Sequence, residues 1–437
     1  MTTIDLGEVT DRPIEPAIPI DHRRLIRAAL AVCTMAGLFA VAGSAHGAAV
    51  GVRPLWITSF GEDDTVALDS DTAYVSRLDN AGQPTVTAYD LDSGAPRWSA
   101  PTGDTLAHFA VRPAGDTVLA PADPVTMTYQ EADGSRWSYV SARTTIALDA
   151  ATGYQLWRAD GDARPSASTG TALIAEQNDE VHATGLRLVR LRDGAEIWNV
   201  AVPPLAGWTP LPDSDHPLAI ATATTDGRLS VYGYADGKLR ASSRVPWETK
   251  TRSATLIPAG RDLAVIRDDP SRDSITTVYS ADDLKPLWTS GYVTSCGDLL
   301  CSIGRDGVAG RDPATGRAVW TAPRARTMFP VTDDRILLGA DLDGTSLQLT
   351  DSHTGRPLGG VVTGSQAFTT DPSGDLLFVR PSLEPPGQLV VTRLGLADGA
   401  QTSLGLAGPS GERSFCIANP GYLACPRTDG LHVMALG

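Results

Sequence analysis

Three stretches of this chain run up to a tryptophan in the same way: YDLDSGAPRW to Trp98, ALDAATGYQLW to Trp157 and GRDPATGRAVW to Trp320. In each, a glycine stands four residues before the tryptophan and an aspartate eight before it, giving Asp90/Gly94/Trp98, Asp149/Gly153/Trp157 and Asp312/Gly316/Trp320. Such self-similarity means a fold assembled from copies of one supersecondary unit, none of which can bury its apolar face alone. Incomplete copies continue the series. LVRLRDGAEIW keeps Gly194 and Trp198 with Arg190 at the aspartate position, and VYSADDLKPLW keeps Trp288 with Leu284 at the glycine position. LTDSHTGRPLGG keeps Asp351 and Gly355 with Gly359 in place of the tryptophan, and fainter echoes surround Gly237 and Gly399.

Each copy reads as a hairpin. A short run rich in β-branched and aromatic residues (VTAYD, TTIALD, LRLVRL) enters a small-residue turn where glycine takes a positive φ, and a second short strand carries the tryptophan. Two further strand-like runs precede each pair, so a unit holds about four antiparallel strands, and nothing beyond Val52 sustains a helical period. The expectation is an all-β chain folded as a β-propeller of four-stranded blades; the candidates number about nine when the split unit at the termini is counted, while the family resemblance given below implies about eight, which is favoured with nine left open. The last run, GLHVMALG, is a strand without its tryptophan partner, and VRPLWITSF near the start is a tryptophan strand without its predecessor. Joining the two in one blade closes the circle and pairs an edge otherwise left open.

The pattern Ala-x-Asp-x-x-x-Gly-x-x-x-Trp, clearest at Ala88/Asp90/Gly94/Trp98 and Ala147/Asp149/Gly153/Trp157, resembles the tryptophan-docking repeat of the pyrroloquinoline quinone (PQQ)-like propellers, over roughly Val52 to Gly437. That superfamily holds quinoprotein alcohol dehydrogenases and also non-enzymatic scaffolds such as the propeller lipoprotein of the outer-membrane assembly machine. The resemblance implies that Trp56, Trp98, Trp157, Trp198, Trp288 and Trp320 pack flat between neighbouring blades and are structural. It also implies, for an active dehydrogenase, adjacent cysteines, acidic and amide calcium ligands and an aspartate base; no two of the five cysteines here are neighbours. The non-enzymatic branch is therefore the expected one, with no catalytic, cofactor-binding or metal residue assigned.

The N-terminal stretch is of another kind. Residues 1–24 read as a flexible cytoplasmic tail, and 25–51 as a membrane segment, since Ala28 to Val52 carries no Asp, Glu, Lys or Arg and is long enough to cross about 30 Å of hydrocarbon. Arg23, Arg24 and Arg27 precede it and Arg53 follows, which by the positive-inside rule sends 52–437 out of the cytoplasm. Two readings stand side by side, an uncleaved signal anchor and a cleavable signal with Gly43-Ser44-Ala45 as its processing site; both export the remainder. Beyond Cys33, four cysteines form two close pairs, Cys296/Cys301 and Cys416/Cys425. Their spacing suits disulfides across short hairpins in an oxidising compartment better than the Cys-x2-Cys knuckles of a zinc site.

A net charge of -15 opposes nucleic acid as a partner. The acidic pairs Asp69/Asp71, Asp213/Asp215 and Asp341/Asp343 lack an EF-hand continuation, and neither a His-Glu-x-x-His motif, a Gly-x-Ser-x-Gly elbow nor a Walker loop occurs. Such aspartates are ordinary turn formers. The functional expectation is a membrane-anchored extracytoplasmic scaffold binding a protein or an envelope component. The alternative is an exported PQQ-dependent or other oxidoreductase working in the channel. Trp137, Trp208 and Trp247 lie off the docking position and are read either as contact residues or as local core.

Overall fold

The computed structural model describes residues 51–103, 110–130, 136–212, 215–245, 247, 253–267, 275–369, 374–409 and 415–437, with backbone alone for 127–130, 136–139 and 409. The proposed tail and membrane segment thus lie outside the described residues, apart from Gly51. Among the described residues no helix is long and apolar enough to cross a membrane.

Antiparallel strands follow one another from Val52 to Leu436. Blade 1 sets the pattern: Thr65–Leu68, Thr72–Leu78, Pro84–Asp90 and Pro96–Pro101 lie side by side in chain order. Blade 2 repeats it from Arg112 to Asp160, blade 5 from Ala254 to Ser290, blade 6 from Val293 to Ala322, blade 7 from Thr327 to Thr363 and blade 8 from Ser365 to Pro409. The second strand of a blade reads as an uninterrupted apolar run, as in Leu263–Ile266 or Ala172–Ala175, all buried, because neighbouring blades cover both of its faces.

Between blades 2 and 5 one seven-stranded sheet runs from Asp162 to Arg244. Its middle strand, Glu196–Leu211, pairs with Ala183–Arg190 along its first part and with Ala219–Thr224 from Leu205 onward, across an irregularity at Leu205/Gly207. One long strand therefore closes blade 3 and opens blade 4. Among the described residues eight sheets thereby hold nine four-stranded sets, the upper of the two counts that the sequence left open.

Blade 9 draws on both ends of the chain. Val52–Thr58 pairs antiparallel with Gly430–Leu436, which continues into Tyr422–Arg427 and Ile417–Asn419. Phe368–Thr369, leaving blade 8, pairs in parallel with Ile417 and Ala418. The core lies between blades: Tyr74, Val86 and Ala88 of blade 1 pack with Val118, Ile146 and Leu148 of blade 2. In the same manner Ala424, Leu431 and Val433 of blade 9 pack with Val66, Leu68 and Val75 of blade 1.

Candidate functional site

The turns joining the third and fourth strands are built alike. The N–H of Gly94 donates to the carbonyl of Asp90 at 2.8 Å, and the same bond recurs from Gly153 to Asp149, Gly316 to Asp312 and Gly355 to Asp351. These glycines sit at φ between 68 and 73°, where a Cβ is disfavoured. The aspartate carboxylates lock the turn by accepting the N–H and the hydroxyl of Ser93, Thr152, Thr315 or Thr354, the hydroxyl at 2.7 Å each time.

The incomplete copies solve the same turn differently. Asp193, Asp236, Asp283 and Asp398 stand directly before Gly194, Gly237, Leu284 and Gly399, and accept the N–H two residues on, from Ala195, Lys238, Lys285 and Ala400. Sequence reasoning noted Arg190 at the aspartate position of the first and Leu284 at the glycine position of the third, and took the turns around Gly237 and Gly399 as weaker echoes. The signal was present, because Asp-Gly is a standard turn pair.

Charge follows this geometry. The Arg97 guanidinium, bonded to Asp71 at 2.9 Å and Asp90 at 2.8 Å, pulls both carboxyls down from the usual range, with Thr72 assisting at Asp71 and Ser93 at Asp90. The Thr152 hydroxyl does the same to Asp149, and the Thr354 hydroxyl to Asp351. Held as turn anions, these groups are spoken for chemically.

Each tryptophan meets the turn of the following blade. Trp56 donates its indole N–H to the carbonyl of Leu91 at 2.8 Å, Trp98 to Ala150 at 2.9 Å and Trp157 to Leu191 at 2.6 Å. Trp198 donates to Tyr234 at 2.8 Å, Trp288 to Pro313 at 2.6 Å and Trp320 to Ser352 at 2.7 Å. The acceptor always lies three residues before the turn glycine. A Cβ on Gly94, Gly153, Gly194, Gly237, Gly316 or Gly355 would come within 2.7 Å of the facing indole. Glycine is thus required twice over, by φ and by the ring pressed on it.

Three of the nine joints depart from this, and at one of them, from blade 8 to blade 9, Ser403 stands at the tryptophan position. Ala241 of blade 4 takes the tryptophan position and Leu284 of blade 5 the glycine position, and both pack in one cluster. Between blades 7 and 8, Gly359 meets Gly399 backbone to backbone, since a Cβ on Gly359 would lie 2.1 Å from the Gly399 carbonyl oxygen.

Disulfides link Cys296 to Cys301 and Cys416 to Cys425, as the spacing suggested. All four cysteines are buried, and each bridge spans the hairpin of the first two strands of its blade, 6 or 9. Of the off-position tryptophans, Trp208 packs into the blade 3 cluster beneath the Arg164 guanidinium at 4.8 Å, and Trp247 packs beside Val245 and Leu256. The Trp137 side chain and Asp213 lie outside the described residues.

The acidic pairs are absorbed locally: Asp69 caps the Ser70 N–H, Asp341 that of Thr345, and Asp215 that of Ser168. Among the described residues no group of three or more His, Cys, Asp or Glu side chains is placed to hold a metal ion.

Because strands alternate in direction, the glycine turns and the hairpins of the first two strands share one end of every blade. The opposite end carries the hairpins between second and third strands and the connections between blades. The loops of that opposite end expose Leu78, Ile275, Tyr292, Leu342 (80%), Leu383 (86%) and Phe415. The glycine-turn end exposes Tyr154 and Leu218, together with the residues that open the fourth strands, Leu156, Ile197, Leu239, Leu287 and Val319. The longest hairpin, Thr117–Gln130 with Arg136–Asp149, also projects at the opposite end.

Fold, turn and joint together define the class: a β-propeller built on the PQQ-like repeat. Residues 44–207 match the family model described as PQQ_2, outer membrane protein assembly factor BamB. No curated protein matches the chain. Among solved structures, BamB from Moraxella catarrhalis is similar at 14% identity, covering 88% of this chain and 100% of its own, with a TM-score of 0.39. A eukaryotic initiation factor aligns at 12% identity over 81% of this chain and 91% of its own, with a TM-score of 0.52. The computationally designed Ika8 protein aligns at 11% identity over 89% of this chain and 100% of its own, with a TM-score of 0.45. At 12% identity the likeness to the initiation factor is one of fold.

Proposed function

We propose that this chain is an extracytoplasmic propeller, closed into a ring through blade 9 and anchored by residues 25–51, that serves as a docking scaffold for another protein. The observation that carries this reading is how the repeat side chains are used. The indole, glycine and aspartate of each copy are consumed by turns and joints, while the most exposed large apolar side chains, Leu342 and Leu383, stand on loops at the end away from them. Exposed apolar loops on a rigid frame suit an interface. The family model named for an outer-membrane assembly factor supports a protein partner, and the two buried disulfides support an oxidising compartment.

The test is cross-linking of the intact protein in its native membrane, followed by purification and mass spectrometry. A specific partner, lost when Leu342 and Leu383 are changed to Glu, is the expected result. The absence of any specific partner overturns the scaffold. Saturable PQQ binding with calcium and alcohol-dependent dye reduction would instead establish the oxidoreductase.

A further inference from the structure

At an Asp-Gly pair the main chain can react with its own side chain. The glycine nitrogen, with no Cβ beside it, closes on the aspartyl Cγ to give a five-membered succinimide. Nine such pairs occur in the sequence, and all but Asp133-Gly134 lie among the described residues. The reaction needs two free partners: an amide nitrogen held by no acceptor, and a carboxyl held by no donor.

In the repeat turns neither partner is free. Gly194, Gly237 and Gly399 donate their N–H groups to the carbonyls of Arg190, Gly233 and Gly395 at 2.9 Å each. The carboxylates of Asp193, Asp236 and Asp398 meanwhile accept the N–H of Ala195, Lys238 and Ala400. Gly161 and Gly227 donate to the carbonyls of Arg143 and Thr224, and Gly307 and Gly430 stand in ladder register opposite Gly304 and Arg427. Asp343-Gly344 differs. It sits at the tip of the hairpin between the second and third strands of blade 7, whose base is fixed by three bonds. The Thr345 N–H donates to the Asp341 carboxylate at 3.2 Å, the Thr327 hydroxyl to the Asp341 carbonyl at 3.1 Å and the Gly364 N–H to the Thr345 carbonyl at 2.9 Å. Between these anchors Asp343 is exposed, and among the described residues neither its carboxylate nor the Gly344 N–H has a hydrogen-bond partner.

We infer that Asp343-Gly344 is a modification site of the folded protein, converting with time to isoaspartate. The Gly344 nitrogen bonds to Cγ of the protonated Asp343 carboxyl, and its proton leaves with the carboxyl OH as water. A second water then opens the ring in one of two ways. Cleavage between the nitrogen and Cγ restores aspartate; cleavage between the nitrogen and the main-chain carbonyl carbon leaves the chain running through Cγ as isoaspartate. Either course takes one oxygen from solvent, and nothing is oxidised or reduced. The product carries one more backbone carbon directly beside Leu342, which is exposed, so the loop tip changes shape while its anchors at Asp341 and Thr345 stay in place. The inference holds independently of the scaffold reading.

The experiment incubates the full-length protein at neutral pH in water enriched in heavy oxygen and returns it to ordinary water for digestion. Mass spectrometry reads the oxygen uptake, and electron-transfer fragmentation distinguishes isoaspartyl from aspartyl peptides. The peptide holding Asp343 is expected to gain label and isoaspartate at least about tenfold faster than those holding Asp193, Asp236 or Asp398, whose closed turns must open before they react. In urea all four should react at comparable rates. Asp343→Glu, which keeps the charge but would need a six-membered ring, should lose both signals while melting like the parent. Absence of uptake at Asp343 in the folded protein while the unfolded protein takes up label would overturn the inference. So would uptake at Asp193, Asp236 and Asp398 as fast as at Asp343, or uptake that persists at this position in Asp343→Glu.

Discussion

Leu284 fills, from blade 5, the space against blade 4 in which Ala241 replaces the repeat's tryptophan. Leu284 is fully buried yet holds a φ of 54°, the turn geometry that glycine adopts in the other copies. The bond from its N–H to the Ser280 carbonyl, at 2.8 Å, matches the glycine turns. The two departures from the repeat compensate one another: where the large ring is missing, the small residue opposite it has grown.

A double-mutant cycle tests that compensation. Leu284→Gly relieves the backbone but opens a cavity, for a net loss of about 2 kcal/mol. Ala241→Trp alone overpacks against Leu284 and costs about 1–3 kcal/mol. The double variant should recover most of both losses in denaturant unfolding, and simple additivity would show that the two positions are independent.

The glycine turns allow packing to be separated from backbone strain. Gly82, at φ 77° with open space around it, should lose about 1 kcal/mol on change to Ala. Gly355→Ala puts a Cβ 2.7 Å from the Trp320 ring and should lose about 3 kcal/mol. Equal losses in thermal or urea melts would mean that the indole yields freely.

For Trp320, Phe keeps an aromatic ring but removes the N–H bonded to Ser352. The expected loss is about 1–2 kcal/mol against about 3–5 for Ala, since Phe leaves one buried carbonyl unpaired and Ala empties the joint. Chemical denaturation of the three proteins reads the difference directly.

Acid sensitivity follows from the turn carboxylates. Asp90 and Asp71 are lowered chiefly by Arg97, and Asp149 by Thr152. A depressed carboxylate contributes stability that is complete above the unfolded value of about 4 and is lost as pH falls through the folded value. The melting temperature should therefore decline below about pH 4, and Asp149→Asn should make that decline shallower. A decline of unchanged steepness in the variant would remove Asp149 from the account.

Each bridge closes a short loop, so Cys296→Ser with Cys301→Ser, or Cys416→Ser with Cys425→Ser, should lower stability by about 2–3 kcal/mol. Being buried, the native thiols of a reduced sample should alkylate only after unfolding, which mass spectrometry under graded urea would follow.

Much of this was legible in the residues themselves. The Asp149–Gly153–Trp157 spacing dictated a hairpin with a positive-φ turn, because that geometry is local and set by Gly and by side-chain oxygens close in sequence. The cysteine pairs were legible for the same reason. Even the Asp-Gly turns at 193–194, 236–237 and 398–399 were written plainly, though they were counted as defects of one pattern instead of a second solution. The sequence could not say that Glu196–Leu211 would serve two blades, since that depends on where the chain bends between sheets.

What the chain determined alone was thus the unit: four short strands, the turn that closes them and the cysteines that staple two of them. Only the stacking of blades decided that Trp320 would reach the Ser352 carbonyl 32 residues on, that Leu284 would answer Ala241, and that the aromatic-bearing ribbon of blade 2 would outrun its neighbours. Local patterns fix φ, ψ and alternation, whereas a joint between blades depends on the twist and offset of whole sheets, which no short stretch of residues encodes.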